Sequence, residues 1–408
     1  MKTKTSRWFT LAASCIVTLC IGSVYAWSAF AAPMSVYLSS FTGGETPNLA
    51  IIFTVVSAVG PITMISGGYI NDRLGPKLVL LAGGLLFGGG MFAASYVRSV
   101  AALVLTFGLG CGLGLGLIYG VTVSNTVKLF PDRSGFAGGI ITAACGAGSI
   151  IASPLVSALA KVYPVTSVFR WLGVGMLVIL CTSALVIESA PRSAQPAKTG
   201  ASASSAAGEY TYREMLREPD AYRMLLTLTC GAFAGTMVIS QAFQIAQGMM
   251  GLTTATASAA VSVIALCNTA GRLLSGTLSD RLGSGRTLQI TFVLSLLSCI
   301  LLFICREGQS VLFFFCLSIV GLAFGGIMGV YPGFTAQRFG RRHNSVNYGI
   351  MFIGFALSGL AAPTAMNLIA ERSGRFQPAF LVSAVLSLAG ILLILPLCRS
   401  KTRARAFR

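Results

Sequence analysis

Long apolar runs alternate with short polar breaks along the whole chain, at about 8–37, 48–70, 78–97, 100–126, 136–160 and 168–189, then 222–247, 253–278, 287–305, 311–336, 347–370 and 376–398. Each can cross a bilayer, which takes about 20 residues of helix. The pattern predicts an all-α membrane protein with twelve transmembrane helices in two pseudo-symmetric halves. The break between the sixth and seventh runs has a different character. Pro191 to Ala207 is rich in Ser, Ala, Pro and Lys and cannot bury a core, so it reads as a flexible linker. Tyr210 to Arg223 mixes charges and aromatics and predicts a short helix at the membrane surface. The expected division is a six-helix half over 1–190, a cytoplasmic linker over 191–221, and a second six-helix half with a short basic tail over 222–408.

Composition agrees with burial in lipid. The 408 residues are 55% hydrophobic and 10% charged, where a soluble domain carries about 25% charged residues. The 47 glycines suit helices that pack closely in a membrane. A net charge of +18 would suit a nucleic-acid partner, but the basic residues lie in short loops, where they set topology instead. With the N-terminus inside, twenty-two Lys and Arg fall on the cytoplasmic side, six outside, and Arg272 within a span. The bias places both termini in the cytoplasm of a cell whose plasma membrane is the expected location, a bacterial inner membrane. Lys2 to Ala31 superficially resembles a cleaved signal peptide, but its apolar stretch is too long for a signal core, so it is expected to remain as the first span.

Several chemistries are disfavoured. The eleven cysteines lie in apolar spans without metal-type spacing and read as small core residues. The single His343 sits in a basic loop. The spans offer no acid, histidine or ligand cluster from which a catalytic site could be built, so neither an enzyme nor a cofactor or metal is expected. No G-x-x-x-x-G-K-[ST] loop is present to bind ATP. The expected partners are the lipid bilayer, a small organic anion and a coupled proton, with a single polypeptide as the working unit and no nucleic acid.

An internal repeat sharpens the class. Gly68-Tyr69-Ile70-Asn71-Asp72-Arg73-Leu74-Gly75 ends the second span, and Gly276-Thr277-Leu278-Ser279-Asp280-Arg281-Leu282-Gly283 ends the eighth, 208 positions later. Repeats of this kind are a hallmark of transporter folds. The chain here resembles the major facilitator superfamily, whose loop between spans 2 and 3 carries this motif. The resemblance implies that Asp72 latches against the start of span 11 and Asp280 against the start of span 5, with Arg73 and Arg281 beside them as gating residues. A carboxylate near a helix N-terminus gains about 0.3–1 kcal/mol. The plainer alternative, that these residues cap helices and mark topology, stays open.

All eleven acidic residues map to loops or span ends, which leaves Arg272 as the ionised side chain well inside a span. Such an arginine costs about 2.5–3.5 kcal/mol to place and is a functional hypothesis by default. An anionic substrate is its natural counter-ion; snorkelling to the interface is the alternative. The Tyr25-Ala26-Trp27 of span 1, the Phe130-Pro131-Asp132-Arg133-Ser134-Gly135 after span 4, Arg272 in span 8 and the Asn347-Tyr348-Gly349 of span 11 resemble the oxalate/formate antiporter family, which is related to the monocarboxylate transporters. The resemblance implies that Arg272 binds carboxylate and that Tyr25 and Tyr119 hydrogen-bond the substrate.

Two departures qualify it. Oxalate antiport in that family uses a span-11 lysine; the position here is Phe355, and span 11 holds no cation. One guanidinium balances one carboxylate, so monocarboxylates are expected over oxalate, with Phe324, Phe352 and Phe355 walling an apolar pocket or merely packing. Where the monocarboxylate transporters have an Asp one turn before the arginine, this chain has Asn268, which cannot titrate. The sequence thus predicts a carrier of pyruvate-, lactate- or formate-like anions by proton symport or exchange. Oxalate/formate antiport and a non-transporting membrane sensor are the alternatives.

Overall fold

The computed structural model describes residues 4–41, 47, 49–190 and 209–406. Among them, twelve helices are long and apolar enough to cross a membrane. They are α1 (Arg7–Ser39), α2 (Ile51–Leu74), α3 (Pro76–Tyr96), α4 (Val100–Leu129), α5 (Ser134–Val162) and α6 (Val165–Val186). The second series is α7 (Pro219–Gly248), α8 (Thr254–Leu282), α9 (Ser284–Ile304), α10 (Ser310–Phe339), α11 (Asn344–Ser373) and α12 (Gln377–Cys398). They follow the twelve apolar runs one for one.

Helix ends are set by the backbone, and for that reason some helices outrun their apolar stretch. α2 continues through Asp72 and Arg73 to Leu74, and α8 through Asp280 and Arg281 to Leu282. Each then stops at the last glycine of the repeated motif. Gly75 has φ 91° and ψ 175°, and Gly283 has φ 87° and ψ 145°, a region that is essentially open to glycine alone. The next helix starts at once, α3 with Pro76 in its first turn, where the missing N–H costs nothing.

The predicted linker over 191–207, with Arg192 and Lys198, lies outside the described residues, as do Lys2, Glu45 and Arg408. The expected surface helix over Tyr210–Arg223 shrinks to one turn, Tyr212–Met215, closed by a capping box between Thr211 and Glu214. Pro219 lacks an N–H to continue such a helix and instead opens α7.

Packing groups the described residues into two units that do not follow chain order. The first holds the described residues within 4–131, 144–190 and 339–350, with 209; the second holds 132–143, 210–338 and 351–406. The sequence division assigns 132–143 and 339–350 by position, whereas by contact the opening turns of α5 and of α11 each go with the opposite set of spans.

In the first unit, glycines bring helix backbones together, as small residues do in membranes. A Cβ at Gly88 of α3 would lie 2.7 Å from the Leu177 backbone in α6, and one at Gly114 of α4 would lie 2.6 Å from the Phe87 backbone in α3. Two spans are irregular. α1 tightens to a 3₁₀ turn over Gly22–Ala26, where Gly22 lies against the Cys145 carbonyl and Gly148 of α5. α4 widens to a π-turn over Val104–Cys111. Such turns are often functional.

The second unit has a continuous apolar cluster that includes Met237, Val320, Phe313, Met366 and Phe380, all essentially inaccessible. Hydroxyl pairs cross between its helices, Thr236 with Ser358 at 2.9 Å and Ser295 with Ser387 at 3.1 Å. The eleven cysteines are free thiols, seven of them buried and four partly buried.

Candidate functional site

Arg272 lies ten residues before the end of α8, about 15 Å at 1.5 Å per residue. The apolar run alone ends six residues beyond it, and α8 runs on through its charged end. Its main chain is held on two sides by glycine. A Cβ at Gly139 of α5 would lie 2.6 Å from the Arg272 carbonyl oxygen, and one at Gly329 of α10 would lie 2.8 Å from its Cα. Gly325 of α10 likewise approaches the Arg272 backbone nitrogen. No side chain fits in these places, so the turn that carries the arginine is fixed.

The side chain is 6% exposed. Its Nε donates to Asn268 Oδ1 at 3.1 Å, one turn earlier, and its Nη1 donates to the carbonyl oxygen of Thr142 in α5 at 2.9 Å. Among the described residues no carboxylate pairs with it, and Nη2 has no hydrogen-bond partner. Both observed acceptors are neutral. The positive charge is therefore oriented but has no anionic partner among the described residues, and a carboxylate accepts stronger hydrogen bonds from a guanidinium than these neutral groups do. Asn268 spends its oxygen on the guanidinium, so in this arrangement it orients Arg272.

The three phenylalanines cluster in the same unit. Ring centroids lie 4.7 Å apart for Phe352 and Phe355 and 6.4 Å apart for Phe324 and Phe355. Phe324 and Phe352 are buried and Phe355 is half-buried. Phe324 adjoins Gly325, and so stands next to the backbone of Arg272. Tyr25 and Tyr119 belong to the other unit. Tyr119 is 5% exposed, while Tyr25 is 42% exposed and edge-on to Phe53.

The repeated motif makes two different contacts. In the first unit, Asp72 receives Lys128 Nζ of α4 at 2.5 Å and the backbone N–H of Val346, in the first turn of α11, at 3.4 Å. Neighbouring polar groups extend the contact. Asn71 Nδ2 donates to Ser345 Oγ at 2.7 Å, and Ser345 Oγ meets Ser124 Oγ at 2.9 Å. In the second unit, Asp280 accepts from the N–H groups of Gly135 and Phe136, in the first turn of α5, each at 2.7 Å. Arg73 stacks over the Tyr69 ring at 4.1 Å, and Arg281 is exposed.

Sequence reasoning did not single out Thr142, Lys128, Ser124, Ser345 or Asn125. Asn125 pairs in both directions with the chain leaving α6, donating to the Glu188 carbonyl and accepting from the Ala190 N–H, each at 2.9 Å. A backbone acceptor such as Thr142 leaves no mark in a sequence. Lys128 could have been noticed as a cation in the last turn of a span. Among the described residues no group of three or more His, Cys, Asp or Glu is placed to hold a metal ion.

The architecture is that of a multi-pass membrane transporter. The chain belongs to the Major Facilitator Superfamily, whose family model matches residues 14–363 and, in a second alignment, 251–406. It is 30% identical to the uncharacterized MFS-type transporter YhjX of Escherichia coli, covering 87% of this chain and 86% of that one. It is 26% identical to the oxalate:formate antiporter of Oxalobacter formigenes, over 94% of this chain and 89% of that one. In three dimensions it resembles the proton:xylose symporter XylE with a TM-score of 0.76 at 12% identity, over 96% of this chain and 95% of that chain.

Proposed function

We propose that the protein carries small monocarboxylates across a bacterial inner membrane, with Arg272 as the carboxylate anchor and both termini in the cytoplasm. The single observation that carries this reading is the state of Arg272: buried, oriented by two neutral acceptors and, among the described residues, paired with no carboxylate. A monoanion of the pyruvate, lactate or formate kind neutralises it one for one. The Phe324, Phe352 and Phe355 cluster offers apolar surface to a short alkyl or keto group. Tyr25 and Tyr119 are further candidate substrate ligands, and the Asp72 and Asp280 contacts act as latches that must part when the cytoplasmic side opens. Transport proceeds by alternating access, driven by proton symport or by exchange.

Uptake of labelled pyruvate, lactate and formate into proteoliposomes, with and without a pH gradient, tests this. Arg272→Ala is expected to abolish flux, since an interaction between a buried charge and its ion is worth at least about 2–5 kcal/mol, or more than about thirtyfold. Undiminished flux in that variant would overturn the assignment. A second reading, oxalate/formate exchange, is favoured by the similarity to the antiporter. A dianion would keep one charge uncompensated here, so Phe355→Lys is expected to raise oxalate counterflow against formate. Wild-type counterflow that the lysine does not improve would sink the charge argument.

A further inference from the structure

We propose that Arg272 is also a gate residue: in the empty carrier its guanidinium clasps the start of α5 through the Thr142 carbonyl, and a bound carboxylate loosens that clasp. The proposal rests on the carboxylate reading of Arg272 given above.

Three observations converge on the clasp. First, Nη1 of Arg272 donates to Thr142 at 2.9 Å, and this is an inter-helix bond from a charged donor to a neutral backbone acceptor. Second, α5 changes unit immediately beyond it. Residues 132–143 pack with α8 and its neighbours, whereas the rest of α5, from 144, packs with the other unit. Third, the two helices are in backbone contact along the whole stretch. Gly135 and Gly139 of α5 face Gly276 and the Arg272 carbonyl of α8, and a Cβ at Gly276 would lie 2.8 Å from the Gly139 Cα. Asp280 closes the outer end on the Gly135 and Phe136 N–H groups, and Arg272 closes the inner end two turns away.

The two ends differ in what can loosen them. The Asp280 end presents a carboxylate, which repels an anion. Arg272 presents a cation instead, with Nη2 unused among the described residues, and an ionised carboxylate gripping Nη1 and Nη2 together forms stronger hydrogen bonds than a neutral carbonyl does. As the anion neutralises the guanidinium, the bond from Nη1 to the Thr142 carbonyl loses its charge assistance and weakens. Separating 132–143 from α8 then costs less in the loaded carrier than in the empty one. An empty carrier that reorients slowly exchanges substrate faster than it releases it. The clasp therefore favours exchange over net flux.

The test uses proteoliposomes loaded with labelled pyruvate, with exchange against external pyruvate compared with net efflux into pyruvate-free buffer. Exchange is expected to exceed efflux by about tenfold or more, the equivalent of one charge-assisted hydrogen bond. Gly139→Ala, whose methyl would press on the Arg272 carbonyl at 2.6 Å, is expected to pry the clasp apart and bring efflux to within about threefold of exchange. Equal rates in the wild type, or an unchanged ratio in an active Gly139→Ala, would overturn the clasp. If that variant is inactive, amide hydrogen exchange of the wild type decides, since saturating pyruvate should speed exchange over 134–143 and a slower or unchanged rate is fatal. Thermal stabilisation by pyruvate, present in the wild type and absent in Arg272→Ala, separates the two claims. Its absence from the wild type fails the carboxylate reading, and its presence with equal fluxes fails the clasp alone.

Discussion

The two copies of the helix-end motif share a backbone and differ in chemistry. In both, a glycine at positive φ ends one helix and starts the next, and in both the aspartate reaches the first turn of a helix from the opposite set of spans. Asp72, however, is buried, with a side chain 5% exposed, and shares its site with the ammonium of Lys128, 15% exposed. Asp280 is exposed and, among the described residues, hydrogen-bonds to helix N–H groups alone. One contact is an ion pair inside a polar network, and the other is a helix cap in reach of water. The same eight-residue pattern therefore meets different electrostatic surroundings in the two places.

The sharpest way to break this contrast is to remove each carboxylate. Asp72→Asn leaves the Lys128 ammonium buried without its counter-ion, and breaking a buried pair from one side costs about 3–5 kcal/mol. Thermal unfolding in detergent should show that loss, and Asp72→Asn combined with Lys128→Met should recover most of it. A single variant as stable as the double would mean that Lys128 escapes to water.

Asp280→Asn should cost less, about 1–3 kcal/mol, because two N–H groups at an exposed helix start lose a charged acceptor and can turn to solvent or the new amide. Its signature should be local. Amide exchange over Gly135 and Phe136 should accelerate with little change in the midpoint of global unfolding. A global loss matching that of Asp72→Asn would erase the distinction between an ion pair and a cap.

Much of this was legible in the sequence, for identifiable reasons. Lipid supplies no hydrogen bonds, so twelve apolar runs had to become twelve helices, and the deep Arg272 stood out because such a charge is costly. The motif glycines and aspartates were visible as a repeat, and their targets on α5 and α11 came with the family resemblance. What stayed hidden depends on where backbones touch. The 3₁₀ turn of α1 arises where Gly22 meets the Cys145 carbonyl, and Arg272 is held by a main-chain oxygen of Thr142. Neither partner is encoded by its side chain. Lys128 was counted only as a topology signal, because nothing in the sequence of α4 says that it turns toward Asp72.

The finest test builds the first contact into the second. Gln337 stands two residues before Phe339 at the end of α10, as Lys128 stands two before Phe130 at the end of α4. Gln337 already reaches the start of α5, donating to Ser134 Oγ at 3.2 Å and accepting from Ser284 Oγ at 2.9 Å. Gln337→Lys would place an ammonium near the residues that cap Asp280. Because that carboxylate is exposed, the gain should be small, about 0.2–1 kcal/mol, and should fade in high salt. A double-mutant cycle with Asp280→Asn isolates it from the loss of the two glutamine hydrogen bonds. A coupling energy near zero would show that α10 holds its end too far from Asp280. A coupling as large as the Asp72–Lys128 pair would show that burial is not what separates the two copies.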